Sequence, residues 1–168
     1  MSESVSRLVG LYPGTFDPVT RGHEDLIVRG LRIVDELVVA IAVDTGKESL
    51  FPIEERVAML REVTAADERV RVATFSGLTV EFARAQNATV VLRGLRAVSD
   101  FEYEFQMALM NKHLAEEIEI IFMAPDTTYS FLSSSLVREV ARLGGDVSPF
   151  VSPSVARRLV ERFGVGGV

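Results

Sequence analysis

The sequence contains no cysteine. That absence excludes a disulfide framework, a thiolate metal site and a cysteine nucleophile. Histidine is nearly as scarce, with only His23 and His113 present. Two histidines without cysteines make no convincing transition-metal cage, and His23-Glu24 lacks the second histidine of a zinc-protease helix. Long apolar runs are missing too. The longest, residues 37–43, spans seven positions, against roughly 20 for a bilayer crossing, so no membrane partner is expected. The opening Met1-Ser2-Glu3-Ser4-Val5-Ser6-Arg7 lacks the charged-then-apolar order of a secretory signal. A cytoplasmic location is therefore expected, where the Asn87-Ala88-Thr89 sequon never meets the glycosylation machinery. Nor is there a Gly-x-x-x-x-Gly-Lys-Ser/Thr loop, a Gly-x-Gly-x-x-Gly fingerprint or a Gly-x-Ser-x-Gly elbow. P-loop NTPases, nicotinamide dehydrogenases and serine hydrolases are disfavoured accordingly.

Positive charge is in deficit. Lys and Arg number 18 against 24 Asp and Glu, a net charge of −6. Non-specific nucleic-acid affinity comes mainly from cations on phosphates, so nucleic acid is not an expected partner. A small phosphorylated ligand remains open, provided a few cations are focused in one cleft.

What is present is ordinary globular material. Hydrophobic residues make up 48% and charged residues 25% of 168 residues, which suits one domain over 1–168 with one core. Short apolar runs at 8–12, 37–43, 70–75, 89–92 and 118–123 read as strands. Between them, helical spacing appears at Leu26, Ile27, Gly30, Leu31 and Val34, and over 53–63, 80–86 and 100–114. Two further helices are expected at 134–143 and 154–163, and the glycine-rich tail from Gly164 to the C-terminus should fray. Strands alternating with helices predict the α/β class: a Rossmann-like, doubly wound sheet of five parallel strands with helices on both faces. Ligands bind such sheets beyond the carboxyl ends of the strands, at the topological switch point.

The residues after the strands suit that position. Tyr12-Pro13-Gly14-Thr15-Phe16-Asp17-Pro18-Val19-Thr20-Arg21-Gly22-His23 follows the first strand. Gly14 allows close backbone approach, and Gly22-His23 opens a helix whose free N–H groups and dipole favour an anion. The same stretch is also readable as a strand-to-helix turn capped by Thr20. Arg93-Gly94-Leu95-Arg96 follows the fourth strand and suits bidentate phosphate binding. Ser133, Ser134 and Ser135 follow the fifth, with Arg138 one turn on; one serine is expected to be an N-cap. Lys47, after the second strand, could reach the same cleft. On the helix at 100–114, Phe101, Phe105 and Ala108 form one apolar stripe and Tyr103, Met107, Met110 and Leu114 another. One stripe is expected to face the domain and the other a second subunit.

Thr20-Arg21-Gly22-His23 after Gly14-Thr15-Phe16-Asp17-Pro18, with Ser133-Ser134-Ser135-Leu136-Val137-Arg138 downstream, resembles the nucleotidyltransferase superfamily with (H/T)xGH and ISSTxxR-type motifs. Arg93-Gly94-Leu95-Arg96 and Asp100-Phe101-Glu102-Tyr103-Glu104 narrow the likeness to the bacterial phosphopantetheine adenylyltransferases, from about residue 7 to residue 163. The resemblance implies adenylyl transfer from ATP to 4′-phosphopantetheine, giving dephospho-coenzyme A and pyrophosphate in coenzyme A biosynthesis. It further implies Mg2+, a homohexamer built as a dimer of trimers, and feedback inhibition by coenzyme A. It assigns His23 to transition-state stabilisation and Thr15, Phe16, His23, Gly94, Leu95, Arg96 and Glu104 to ATP. Tyr129, Ser130, Phe131, Leu132, Ser133, Ser134 and Ser135 are assigned to ATP as well, and Thr15, Lys47, Thr79 and Arg93 to phosphopantetheine. No metal ligands are implied, so Mg2+ would be held mainly by ATP phosphates and water. The residues alone leave two other readings open: a related transferase acting on nicotinamide mononucleotide or glycerol 3-phosphate, and a non-catalytic nucleotide-binding module. The class I aminoacyl-tRNA synthetases share the motifs, but a net-acidic chain of 168 residues is expected to leave no room for an anticodon domain.

Overall fold

The expected alternation is present in a computed structural model that describes residues 7–164, apart from the side chains of Val98 and Ser99. The N-terminal extension and the tail after Gly164 lie outside the described residues. In chain order the elements are β1 (Val9–Gly14), α1 (Arg21–Gly30), β2 (Glu36–Ala42), α2 (Ile53–Thr64), β3 (Val70–Phe75) and α3 (Thr79–Ala85). They continue with β4 (Val90–Gly94), α4 (Val98–Leu114), β5 (Glu119–Met123), a 3-10 turn (Thr127–Tyr129), α5 (Ser134–Arg142) and α6 (Pro153–Phe163). The strands form one parallel sheet in the order β3-β2-β1-β4-β5. The doubly wound expectation therefore holds, with β1 at the centre and the switch point between β1 and β4.

The sheet is covered on both faces, so β2 is apolar from Leu37 onward while its side chains still alternate. Leu37, Val39 and Ile41 face the layer of α1, α2, α5 and α6, packing with Leu26, Met59, Val137 and Leu159. Val38 and Ala40 face the other layer, with Val80 and Ala83 of α3. That second layer is thin. No described side chain of α4 is buried, and both of its apolar stripes are exposed, with Phe101 at 47% and Met110 at 56%. The sequence expectation that one stripe would face the domain is met only at Phe101, whose ring tilts against Phe122 of β5 with centroids 6.5 Å apart; neither stripe is buried. Ala115 and Ile118, just past the helix, supply that burial instead.

The first helix is shorter than its apolar spacing implies. It stops at Gly30, where the Leu31 N–H bonds the Ile27 and Arg29 carbonyls, and Val34 enters the core from the turn that follows. Gly10 makes room for it, since a Cβ there would lie 3.0 Å from Val34 Cγ1. The spacing foretold burial correctly, but a turn delivers it rather than a helix.

Candidate active site

Pairing between β1 and β4 is confined to Gly10 and Leu11 opposite Val90 and Val91. Beyond that the two strands part, which leaves Pro13, with no N–H to donate, free of a ladder on this side. Arg93 closes the gap by donating from Nη1 to the Pro13 carbonyl at 3.2 Å. The opening is the mouth of a cleft of about 630 Å³, within the roughly 300–1,000 Å³ usual for small-molecule sites.

Its floor is the turn after β1. Gly14 is required there because the Phe16 ring folds back over it, and a Cβ would lie 3.0 Å from Phe16 Cε2. Phe16 is buried and adopts a left-handed φ of 47°. Its ring stands edge-on to His23, with centroids 4.9 Å apart. Asp17, also buried, accepts the Leu50 and Phe51 N–H groups at 2.8 and 2.9 Å.

His23 occupies the third position of α1. Its Nδ1 accepts the Thr20 N–H at 2.9 Å, and the Thr20 hydroxyl lies 3.1 Å from the same nitrogen. The ring thus takes the part that Glu or Gln plays in a capping box. Because a backbone N–H can only donate, Nδ1 carries no proton and the neutral ring holds its proton on Nε2. Burial, and secondarily the nearby Arg96 charge, push the His23 pKa down to about 4. At neutral pH the residue is an uncharged donor at the edge of the cleft, not a base awaiting a proton.

Lys47, Arg93, Arg96 and Arg138 border the cleft, and so do Asp17, Glu48, Asp100 and Glu104. Most of these charges engage one another. Arg93 reaches Glu104 from Nε at 3.0 Å and from Nη2 at 2.5 Å. Arg138 donates to the Asp17 carbonyl and to Ser135 Oγ, and lies 3.7 Å from the Asp17 carboxylate. Arg96 donates to the Leu132 carbonyl at 3.2 Å and stands 3.8 Å from Asp100. The serine run divides its tasks: Ser133 caps α5 through the Leu136 N–H, Ser134 donates to the Pro18 carbonyl at 2.8 Å, and Ser135 faces Arg138.

Most of the residues expected from sequence converge here. Thr15, Phe16 and His23 come from the β1–α1 connection, Lys47 from the loop after β2, and Arg93, Gly94 and Arg96 from the end of β4. Glu104 projects from α4, while Tyr129, Leu132, Ser133, Ser134 and Ser135 come from the segment after β5. Four others stand outside the lining. Leu95 extends β4 by donating to the Met123 carbonyl. Ser130 bonds the Thr127 carbonyl, and exposed Phe131 meets Phe150 edge-on. Thr79 opens α3 after β3, the sheet's edge strand. The geometry also adds residues given no role from sequence: Asp17, Asp100, and Tyr12, whose phenol is raised above its ordinary pKa mainly by burial. The available sign was their place in the quoted stretches, Asp17 between Phe16 and Pro18, Asp100 ahead of Phe101 and Tyr12 ahead of Pro13.

Known proteins are similar to this chain in sequence and in fold. The profile of the family described as cytidylyltransferase-like matches residues 11–140. A solved Vibrio parahaemolyticus structure, provisionally named a nicotinate-nucleotide adenylyltransferase, superposes with a TM-score of 0.66 at 14% identity, covering 92% of this chain and 99% of that one. At that identity the likeness speaks for the fold. In sequence, the phosphopantetheine adenylyltransferase of Thiobacillus denitrificans is 56% identical over 155 residues, 92% of this chain and 97% of that protein. The protein of the same name from Ralstonia nicotianae is 55% identical over 157 residues, covering 94% of each. Identity above one half over more than nine-tenths of the chain shows that it belongs to the phosphopantetheine adenylyltransferase family, within the cytidylyltransferase-like group.

Proposed function

We propose that this enzyme transfers the adenylyl group of ATP to 4′-phosphopantetheine by direct in-line displacement. A phosphate oxygen of phosphopantetheine forms a bond to the α-phosphorus. The bond from that phosphorus to the bridging oxygen breaks, and pyrophosphate leaves with the electron pair. The nucleophile is already an anion at neutral pH, so the step needs no general base and no covalent intermediate. What it does need is alignment and donors for the charge that builds on the phosphoryl oxygens. The observation that carries this reading is the neutral His23, its Nδ1 fixed by Thr20 and its Nε2–H left to donate.

Thr15, the Phe16 main chain, Gly94, Arg96 and the 129–135 segment serve ATP, and Lys47 and Arg93 serve the acceptor phosphate. Glu104 acts through Arg93, since both its oxygens are taken by that guanidinium. Leu95, Ser130 and Phe131 lie at the rim and contribute main chain or shape. Thr79 contacts the acceptor's distal arm. Mg2+ fits this site as a companion of ATP rather than a resident ion. Among the described residues no three His, Cys, Asp or Glu side chains cluster to hold a metal, and Asp17 and Glu104 are spent on backbone N–H groups or on arginine. Mg2+ generally keeps its waters and is bound largely by substrate phosphates; when bound with ATP it supplies charge neutralisation at the phosphates. The whole chain works as one domain in the cytoplasm, as a hexamer joined partly through α4, and coenzyme A, sharing the acceptor's chemistry, inhibits by occupying the same cleft.

A pyrophosphate-release assay with ATP and 4′-phosphopantetheine tests the reading. Release is expected only with both substrates, and little with CTP or with nicotinamide mononucleotide or glycerol 3-phosphate as acceptor. Preference for one of those acceptors would overturn it.

A further inference from the structure

Arg56, on α2, is 5% exposed, yet no carboxylate stands within ion-pair distance of it among the described residues. Its Nε donates to the Phe51 carbonyl and its Nη1 to the Thr15 carbonyl, both at 3.0 Å. A buried charge answered only by carbonyl dipoles is costly, and none of the steps above uses it.

Three further observations converge on the peptide it holds. The Thr15–Phe16 bond is trans, so its carbonyl and its N–H point in opposite directions. Anchoring the carbonyl on the α2 side therefore turns the Phe16 N–H away from α2. That N–H has no acceptor among the described residues, and Phe16 borders the cleft. Phe16 also has a φ of 47°, a conformation that non-glycine residues keep only where their surroundings over-determine it. The four cations bordering the cleft are equalled in number by four carboxylates, whereas Arg56, bonded to the cleft residue Thr15, has no ion-pair partner among the described residues.

We infer that Arg56 is a positioning residue for adenylyl transfer: it aims the Phe16 N–H at a phosphoryl oxygen in the cleft, and its unmatched charge sits beneath that anion. This rests on the reading of the cleft as a site for two phosphorylated substrates. The role requires a forked head group, because one arm holds α2's own entry loop and another holds Thr15.

Two substitutions in the full-length enzyme test it. Arg56→Met keeps the buried stem but loses both carbonyl bonds, and Arg56→Lys keeps the charge with one bond. Relative to folded protein, kcat/KM for ATP should fall about 10- to 150-fold in Arg56→Met, the span for losing one charge-assisted hydrogen bond, and less in Arg56→Lys. With 15N-phenylalanine labelling, the Phe16 amide resonance, assigned through Phe16→Tyr, should move when pyrophosphate is added to the wild type and stay still in Arg56→Met. If Arg56→Met does not fold, Arg56→Lys carries both measurements. Wild-type kcat/KM within about threefold in the folded variants, or an equal response of the Phe16 amide to pyrophosphate, overturns the role. A wild type inactive with ATP and 4′-phosphopantetheine would instead overturn the assigned reaction, and the amide response would still decide on Arg56.

Discussion

The two nitrogens of His23 have separate tasks, and substitution can pull them apart. Nδ1 accepts the Thr20 N–H at 2.9 Å and so caps α1; Nε2 carries the proton offered to the phosphoryl group. His23→Ala removes both. Losing one transition-state donor costs roughly 10²–10³ in turnover. Losing the cap costs about 0.5–2 kcal/mol, which for a chain of this size lowers the Tm by a few degrees at roughly 2–4 °C per kcal/mol. His23→Gln restores the usual capping-box residue, so its Tm should return to near wild type. Its side-chain amide lacks the rigid ring held against Phe16 at 4.9 Å, so its turnover should recover only in part. Calorimetry beside a pyrophosphate-release assay, with ATP affinity measured separately, reads out the comparison. An alanine variant with a lowered Tm but more than half of wild-type turnover would show that capping is the ring's only task.

His23 also sets a pH dependence. Its pKa is about 4 folded against 6.5 free, so the unfolded chain binds more protons between those values. Its share of stability is intact above about pH 6.5 and is lost as pH falls toward 4, at most about 3 kcal/mol at 1.36 kcal/mol per unit, less where cleft water reaches the ring. Denaturant unfolding at pH 7 and pH 4.5 should show a steeper acid loss in the wild type than in His23→Gln; equal losses refute the assignment. Met110→Glu puts a charge into the exposed face of α4 and should yield smaller species by light scattering, and a wild type already monomeric at micromolar concentration refutes the interface. Arg93→Ala should weaken phosphopantetheine binding about 10- to 150-fold by calorimetry with ATP binding within a few-fold, and Glu104→Gln should weaken it in the same direction; a loss confined to ATP refutes the division. Chelating divalent cations should weaken ATP far more than phosphopantetheine, and equal effects refute a metal that arrives with the nucleotide.

The fold was legible because its signals are local and periodic. Residues 37–43 are apolar on both faces, and only a strand with layers on either side needs that. The misread helix at Leu31 and Val34 shows the limit of the same signal, since apolar spacing reports which side chains are buried and not the backbone that buries them. On α4 the period is legible in the sequence, but the depth to which each stripe is covered is not. Two apolar stripes imply two partners, but both stripes are exposed, and only the sheet's other face reveals that Ala115 and Ile118 already fill the place α4 was expected to take.

The site was legible by position and illegible by pairing. Strand ends identify which residues reach the cleft, because a parallel sheet delivers them all to one edge. They do not identify which cation answers which carboxylate, since Arg93 and Glu104 are joined across 11 positions and Arg138 and Asp17 across 121. The serine run shows the consequence. From sequence, one of the three hydroxyls is expected to cap the helix and the others, beside Arg138, to serve a phosphate. In the structure Ser133 accepts the Leu136 N–H at the start of α5, and Ser134 donates to the Pro18 carbonyl, which ties the helix start to the turn that carries Phe16. Only Ser134 has used its hydroxyl proton, so the donors left for an anion are the Ser133 and Ser135 hydroxyls and the free N–H groups at the start of α5. Residues that resemble ligand contacts in a sequence thus act in part by holding the backbone N–H groups of two loops against one another.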